Sequence, residues 1–232
     1  MNLSKFIESK RKCSADYHLY MAKKWRKYGE PNLLHTPMIY SAFEFRMAIE
    51  RFVFEIFYLI KEEQLLDSTE FTEENIKKID RFSNLLKVLY ENVGNKKILF
   101  KAFYYNKTHV QIFTEGHIKL SIPDLGKLHK YWEELSEFCH RQLVPGKTWE
   151  NYEWIKKAYL KLNRVEQYFH FLLVENNFGW LRKSSLPPEL LELRNEFLND
   201  EIDMDQLCKR MEIVKPLLEH KKHIREQLDL IK

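Results

Sequence analysis

The chain of 232 residues has a formal net charge of +4, with 44% hydrophobic and 31% charged residues, so it suits one or two folded domains. Its six glycines and seven prolines are roughly half of ordinary usage, which favours long helices over a sandwich of short strands. Three scattered cysteines with no C-x-x-C spacing argue against a disulfide framework and a thiolate zinc site.

The sequence contains no candidate membrane span. Its longest apolar stretch, residues 52–60, is short and is interrupted by Glu55, whereas a transmembrane helix needs about 20 apolar residues. The first residues lack the apolar region of a secretory signal. We therefore expect a cytoplasmic, reduced protein that needs no membrane.

Helical signals dominate the first part of the chain. A first helix is predicted over residues 3–27. Thr36 and Pro37 supply an N-cap and an N1 proline for a second helix that ends near Glu63. Thr72 caps a third, which ends near Gly94.

The segment from about 97 to 122 has a different pattern. It is rich in β-branched and aromatic residues and partly alternates between apolar and polar positions. This pattern predicts two or three short strands with a turn at Glu115 and Gly116.

Helical patterns resume at Asp124 and continue through the rest of the sequence. One helix should stop before Pro145, and a longer one should run from Thr148 to near Phe178. Pro187 and Pro188 open a short helix. Asp203, with Gln206 three residues later, resembles a capping box for the last helix, which Pro216 should kink or split.

The expected fold is therefore mainly α. We predict one domain over residues 1–232, a multi-helix bundle with a small inserted antiparallel β-hairpin or three-stranded meander.

The second helix carries the first candidate site. Arg46 and Glu50 are four residues apart and lie on an apolar flank, while Glu44, Arg51 and Glu55 form a stripe expected to face solvent. An ion pair within an apolar surface is expensive to desolvate, so this one is a functional candidate. The alternative is a structural pair or two snorkelling side chains.

The helix after the predicted strands adds Ser136 and His140 to this candidate site. They are also four residues apart, along the edge of an apolar face. A neutral histidine there could act as a general base, although no orienting carboxylate or oxyanion hole accompanies it. The alternative is an ordinary half-buried histidine.

Metal and nucleotide chemistry find no support in the sequence. His220 and His223 have ligand spacing, but the adjacent Lys221 and Lys222 oppose cation binding. No phosphate-binding glycine loop or common hydrolase motif occurs. We expect neither a metal nor a cofactor.

The first 30 residues are strongly basic, with eight Lys or Arg against three acidic residues. Tyr17, Tyr20, Trp25 and Tyr28 are interleaved with the charges, and basic residues with stackable aromatics can hold single-stranded nucleic acid. The alternative is a solvated helix with inward aromatics. The candidate nucleic-acid-binding residues are Lys10, Arg11, Lys12, Lys23, Lys24, Trp25, Arg26 and Lys27.

Two features resemble the HEPN group of helical domains, many of which are ribonucleases in bacterial defence and toxin–antitoxin systems. One is the arginine-bearing apolar helix SAFEFRMAIERFVFEIFYLI, and the other is Arg164-VEQYF-His170, which fits the R-x(4–6)-H signature of that group. The resemblance implies a dimer in which Arg164 stabilises a phosphate and His170 acts as general acid or base, without a metal.

Three functional hypotheses follow. The first is a non-enzymatic helical binding module that contacts RNA through its basic N-terminal helix, either as a homodimer or as a subunit of a bacterial defence or toxin–antitoxin assembly. The second is a HEPN-like, metal-independent ribonuclease, with Arg46, Glu50, Ser136 and His140 as an alternative catalytic set. The third is a structural partner protein that makes no nucleic-acid contact.

Overall fold

The computed structural model describes residues 14–62, 82, 96–118, 120–140, 152–175 and 183–229. The expected mainly α class is confirmed, because this part of the chain forms seven α-helices and no strand. They are α1 (Ala15–Gly29), α2 (His35–Glu62), α3 (Lys96–Phe113), α4 (Leu125–His140), α5 (Tyr152–His170), α6 (Pro188–Leu198) and α7 (Met204–Asp229).

The predicted β insertion at 97–122 is wrong, because α3 covers most of that segment. Leu99, Ala102 and Phe103 belong to one apolar cluster, whereas Tyr105 and Phe113 belong to another. A helix buried on two sides is apolar around most of its circumference. Its composition therefore resembles that of a buried strand, although its buried positions keep helical spacing.

The predicted turn at Glu115 and Gly116 exists, but it ends a helix instead of joining two strands. Glu115 has a φ of 52°, and the Gly116 amide donates to the Gln111 carbonyl at 2.8 Å. A left-handed residue with this hydrogen bond is the Schellman motif that closes many helices. Residues 120–124 then lead into α4 without regular structure.

Two apolar clusters form the core. The larger one joins α1, α2, α4 and α5, and includes Phe45, Ile49, Leu128 and Leu162, all of which are fully buried. The smaller one joins α6 and α7, through Leu193, Leu207 and Met211 for example, to the Tyr105 side of α3. α3 contributes to both clusters.

Other local predictions have mixed outcomes. The capping box of α7 is confirmed: the Asp203 amide donates to Gln206 Oε1 at 3.0 Å, and the Gln206 amide donates to Asp203 Oδ1 at 2.8 Å. The expected split at Pro216 is not seen, because α7 continues through it. The predicted start of the first helix and the helix at 72–94, apart from Phe82, lie outside the described residues.

α1 packs on the polar stripe of α2 that was expected to face solvent. His18 Nδ1 lies 2.7 Å from Glu44 Oε2, and Ser41 Oγ donates to the Ala22 carbonyl at 2.9 Å. An α1 side chain therefore satisfies Glu44 of this stripe, and the two helices meet through a polar seam within the larger cluster.

The end of α1 approaches α5 closely at Gly29. A Cβ atom at Gly29 would lie 2.0 Å from the Tyr159 hydroxyl oxygen and 2.6 Å from Pro37 Cβ. The Tyr159 hydroxyl donates to the Leu34 carbonyl at 2.6 Å. Glycine is therefore required here by space, and α5 is held against the connection between α1 and α2.

α3 also holds the end of α6. The ammonium of Lys101, whose side chain is nearly buried, donates to the Phe197 carbonyl at 2.9 Å and lies 2.5 Å from Asp200 Oδ1. A cation is favoured at a helix C-terminus, where the carbonyl dipoles point outwards. Lys101 thus caps α6 from a neighbouring helix.

Candidate nucleic-acid interface

One face of α1 is exposed and aromatic. Tyr17, Tyr20, Lys24 and Tyr28, here called the α1 stripe, are spaced by three and four residues and so lie along one side of the helix. The exposed fractions of the three tyrosines are 49%, 54% and 67%. Lys24 Nζ lies 4.5 Å from the centre of the Tyr20 ring, within the range of a cation–π contact.

Two further aromatic residues extend this surface. Trp25 is half-buried, and its ring centre lies 5.1 Å from that of Tyr40 on α2, which is itself half-exposed. Lys27 is exposed next to Tyr28 on the same side of α1. Of the predicted nucleic-acid-binding residues, the structure therefore presents Lys24, Trp25 and Lys27 on or beside the stripe.

Arg26 is used inside the fold. Its side chain is 9% exposed, Nε donates to Glu166 Oε2 of α5 at 2.6 Å, and a terminal nitrogen pairs with Glu30. The predicted surface contact with nucleic acid does not fit this position, because both carboxylates already neutralise the guanidinium. Lys23 takes part more loosely, with Nζ 3.6 Å from the second Glu166 oxygen. Lys10, Arg11 and Lys12 lie outside the described residues.

A pocket of about 200 Å³ opens between α1 and α5 beside the stripe. Its polar wall is formed by Asp16, Tyr20, Lys23, Glu166 and His170, over an apolar floor that includes Phe45 and Phe169. This α1–α5 pocket therefore joins His170, proposed from the family resemblance, to the stripe. Neither Asp16 nor Glu166 was predicted there, because only the packing of α5 on α1 places them together.

Arg164 lies elsewhere on α5. His170 lies six positions further along the helix, so the two side chains leave the helix about 120° apart. Arg164 is exposed and acts electrostatically on Tyr131 of α4: burial raises the pKa of Tyr131, Glu134 adds to the increase, and Arg164 opposes it. A single chain therefore does not bring Arg164 and His170 to one site.

The alternative site on α2 and α4 is partly assembled. Glu50 Oε1 accepts from Arg46 Nε at 3.1 Å and from Trp132 Nε1 at 2.8 Å, and the Arg46 guanidinium lies 4.8 Å from the Trp132 ring centre. The anticipated pairing of Arg46 with Glu50 is confirmed, and Trp132 is the partner that sequence reasoning missed. Ser136 Oγ donates to the Trp132 carbonyl at 2.7 Å, within its own helix.

These contacts join α2 to α4 and do not form a reactive centre. Glu50 Oε1 is occupied by Arg46 and Trp132, and the Ser136 proton is donated to the backbone, so no general base reaches that hydroxyl there. The His140 side chain lies outside the described residues. Burial raises the pKa of Cys139, with Arg46 opposing, which keeps this thiol protonated.

Among the described residues, no group of three or more His, Cys, Asp or Glu is placed to hold a metal ion. None of the described helices combines the length and the apolar character needed to cross a membrane.

Comparison with known proteins adds no relative. No family model, curated protein or solved structure matches this chain. A function for this chain therefore has to be inferred from its own geometry.

Proposed function

We propose that the protein is a non-enzymatic helical module that binds single-stranded RNA across the α1 stripe. The observation that carries this proposal is the alignment of three half-exposed tyrosines with Lys24 on one face of α1. Bases stack on exposed aromatic rings, and neighbouring lysines contact the phosphates between them.

The local charge favours a polyanion over a neutral partner. Lys24 and Lys27 are exposed, whereas the nearby acidic residues Glu30 and Glu166 are already engaged by Arg26. Two of the acidic residues near the stripe, Glu30 and Glu166, are thus compensated from inside the fold, while Asp16 stays exposed. The surface combines exposed ammonium groups with aromatic faces, which is the composition of single-strand binding platforms.

Binding of a labelled 12-nucleotide single-stranded RNA, measured by fluorescence anisotropy at two salt concentrations, tests the proposal. The double variant Tyr20→Ala/Tyr28→Ala should weaken binding by about thirtyfold or more, because each stacked base contributes roughly 1–3 kcal/mol. Lys24→Gln/Lys27→Gln should also weaken it and reduce the salt slope, since each lost phosphate contact lowers that slope by about 0.7.

Matched controls lie on α7, outside the larger cluster. Lys209→Gln removes one exposed charge, and Ile213→Ala removes exposed apolar surface. Both should leave affinity unchanged. The proposal fails if the wild-type chain shows no binding at low salt, or if the control and stripe variants weaken it equally. If the stripe variants instead lose binding of a protein partner, the result would support the structural-partner hypothesis.

The α1–α5 pocket favours a second candidate function, a metal-independent endoribonuclease resembling the HEPN group. A strand on the stripe would pass Tyr20 and reach His170 in the pocket. There His170 would accept the proton of a ribose 2′-hydroxyl while the P–O2′ bond forms and the P–O5′ bond breaks. Lys23 is the adjacent cation for the developing phosphorane charge, and water would protonate the departing 5′-oxygen.

Running the same RNA samples on a denaturing gel, with a chelator present, separates the two candidates. Cleavage that His170→Ala abolishes while anisotropy still reports binding would favour the ribonuclease. If Arg164→Ala also abolishes it, a second copy of the chain supplies that arginine. Intact RNA with full binding leaves the binding module as the function.

A further inference from the structure

A larger cleft lies between α3, α7 and the chain entering α6. Its volume is about 790 Å³, within the usual range of small-molecule sites. Much of its wall is apolar, formed by Phe113, Leu186, Leu190 and Leu218. None of its residues belongs to the α1 stripe or the α1–α5 pocket, so the proposed RNA binding does not use it.

His109 supplies a polar group to the wall of this cleft, which we call the His109 cleft. Its ring stacks on Phe113, with centres 4.4 Å apart and planes 9° from parallel. Nδ1 is buried from solvent and has no hydrogen-bond partner among the described residues, so Nε2 is the ring nitrogen that we expect to face the cleft. A buried N–H without an acceptor is rarer and costlier than a buried lone pair. The proton therefore belongs on Nε2.

The imidazole is neutral at physiological pH. Burial lowers the pKa of His109 to about 4, so the ring offers one N–H donor without a charge. The stacked ring and the apolar walls fix the direction of this donor. The cleft thus combines a flat apolar surface with a single oriented hydrogen-bond donor.

The charges at the rim compensate one another. Glu189 forms an ion pair with Lys221, which connects the start of α6 to α7. Glu219 lies 3.9 Å from Lys215, whose ammonium also contacts Glu115 at 2.9 Å. A charged ligand would have to displace one of these partners, whereas a neutral ligand would not.

We propose that the His109 cleft binds a small, flat, neutral aromatic compound whose carbonyl or ring acceptor accepts a hydrogen bond from His109 Nε2–H. The ring of the ligand would pack between Phe113 and Leu218. This site is independent of the proposed RNA binding.

Three monosubstituted benzenes test the proposal on the full chain. Benzamide is neutral and has a carbonyl acceptor, toluene lacks the acceptor, and benzoate carries a charge. Titrations followed by ¹H–¹⁵N correlation spectra should show benzamide binding in the millimolar range expected for so small a ligand. Toluene and benzoate should bind more weakly, and the shifted amides should include those of His109 and Leu190.

Variants then locate the donor. His109→Phe preserves the stacked ring but removes the N–H, so it should weaken benzamide about threefold to tenfold and leave toluene unchanged. Leu218→Trp should fill the cleft and weaken all probes. Absence of benzamide binding to the wild-type chain, equal affinity of benzamide and toluene, or unchanged benzamide affinity in His109→Phe would each overturn the proposal.

Discussion

Replacement of Arg26 by Met should destabilise the fold strongly. Arg26 is 9% exposed, and its two carboxylate partners come from α5 and from the residues that follow α1. Removing one member of a buried ion pair commonly costs about 3–5 kcal/mol, because the other charge is left without compensation. Glu166 keeps Lys23 at 3.6 Å and is 18% exposed, so we expect a cost at or just below the lower end of this range, about 2–3 kcal/mol.

Urea unfolding followed by circular dichroism measures this cost. The midpoint should fall while the slope stays constant, which identifies a change in stability rather than in compactness. In a double-mutant cycle, Arg26→Met/Glu166→Gln should recover about 1–2 kcal/mol, since the uncompensated carboxylate is then absent. Lys24→Met is the matched control on the same helix and should change stability by less than about 0.5 kcal/mol.

A buried ion pair is refuted if Arg26→Met changes the free energy of unfolding as little as Lys24→Met does. Additive effects of the two substitutions in the cycle would refute it as well. Either result would mean that the guanidinium is solvated. Arg26 would then be available to a phosphate on the surface, as the basic composition of the segment first indicated. RNA affinity of the folded Arg26→Met variant should otherwise equal that of the wild type.

Three further predictions concern stability. Lowering the pH from 7 to 5 should reduce the free energy of unfolding by about 2 kcal/mol through His109, because the unfolded imidazole binds a proton near 6.5 and the folded one only near 4. In urea titrations at these two pH values, His109→Phe should lose this contribution. Gly29→Ala should cost about 1–3 kcal/mol, since its Cβ would lie 2.0 Å from the Tyr159 hydroxyl oxygen, and a normal melting temperature would contradict the close packing. Lys101→Met should lower the free energy of unfolding by about 1–2 kcal/mol, because the carbonyls that end α6 lose their donor. The urea midpoint should fall accordingly, whereas Lys107→Met on the same helix should leave it unchanged.

The cap of α7 was predictable because its signal is local, since the reciprocal bonds of Asp203 and Gln206 involve residues three positions apart. Thr36 and Pro37 predicted the region where α2 begins, but their expected roles as N-cap and N1 are wrong, because α2 already begins at His35. The exposed tyrosines of α1 were also visible as a set in the sequence. Such signals need no knowledge of what packs against the helix.

Predictions failed where a distant segment decides the environment. The partner of Arg26 is Glu166, 140 residues away, so a basic run in the sequence did not reveal a buried cation. The stripe on α2 was expected to face water because it is polar, yet His18 supplies a partner for Glu44. Phe103 and Tyr105 point into different clusters, which made a two-sided helix resemble strands.

The sharing of α3 between the two clusters limits how the chain can be divided. A fragment ending at residue 175 would expose the Tyr105 side of α3, and a fragment beginning at residue 183 would expose the apolar faces of α6 and α7. Neither piece can bury its surface alone, but the two surfaces fit each other. Fragments divided between α5 and α6 should therefore remain incompletely folded when expressed separately and recover helical structure when mixed, which would make this division suitable for split-protein reconstitution.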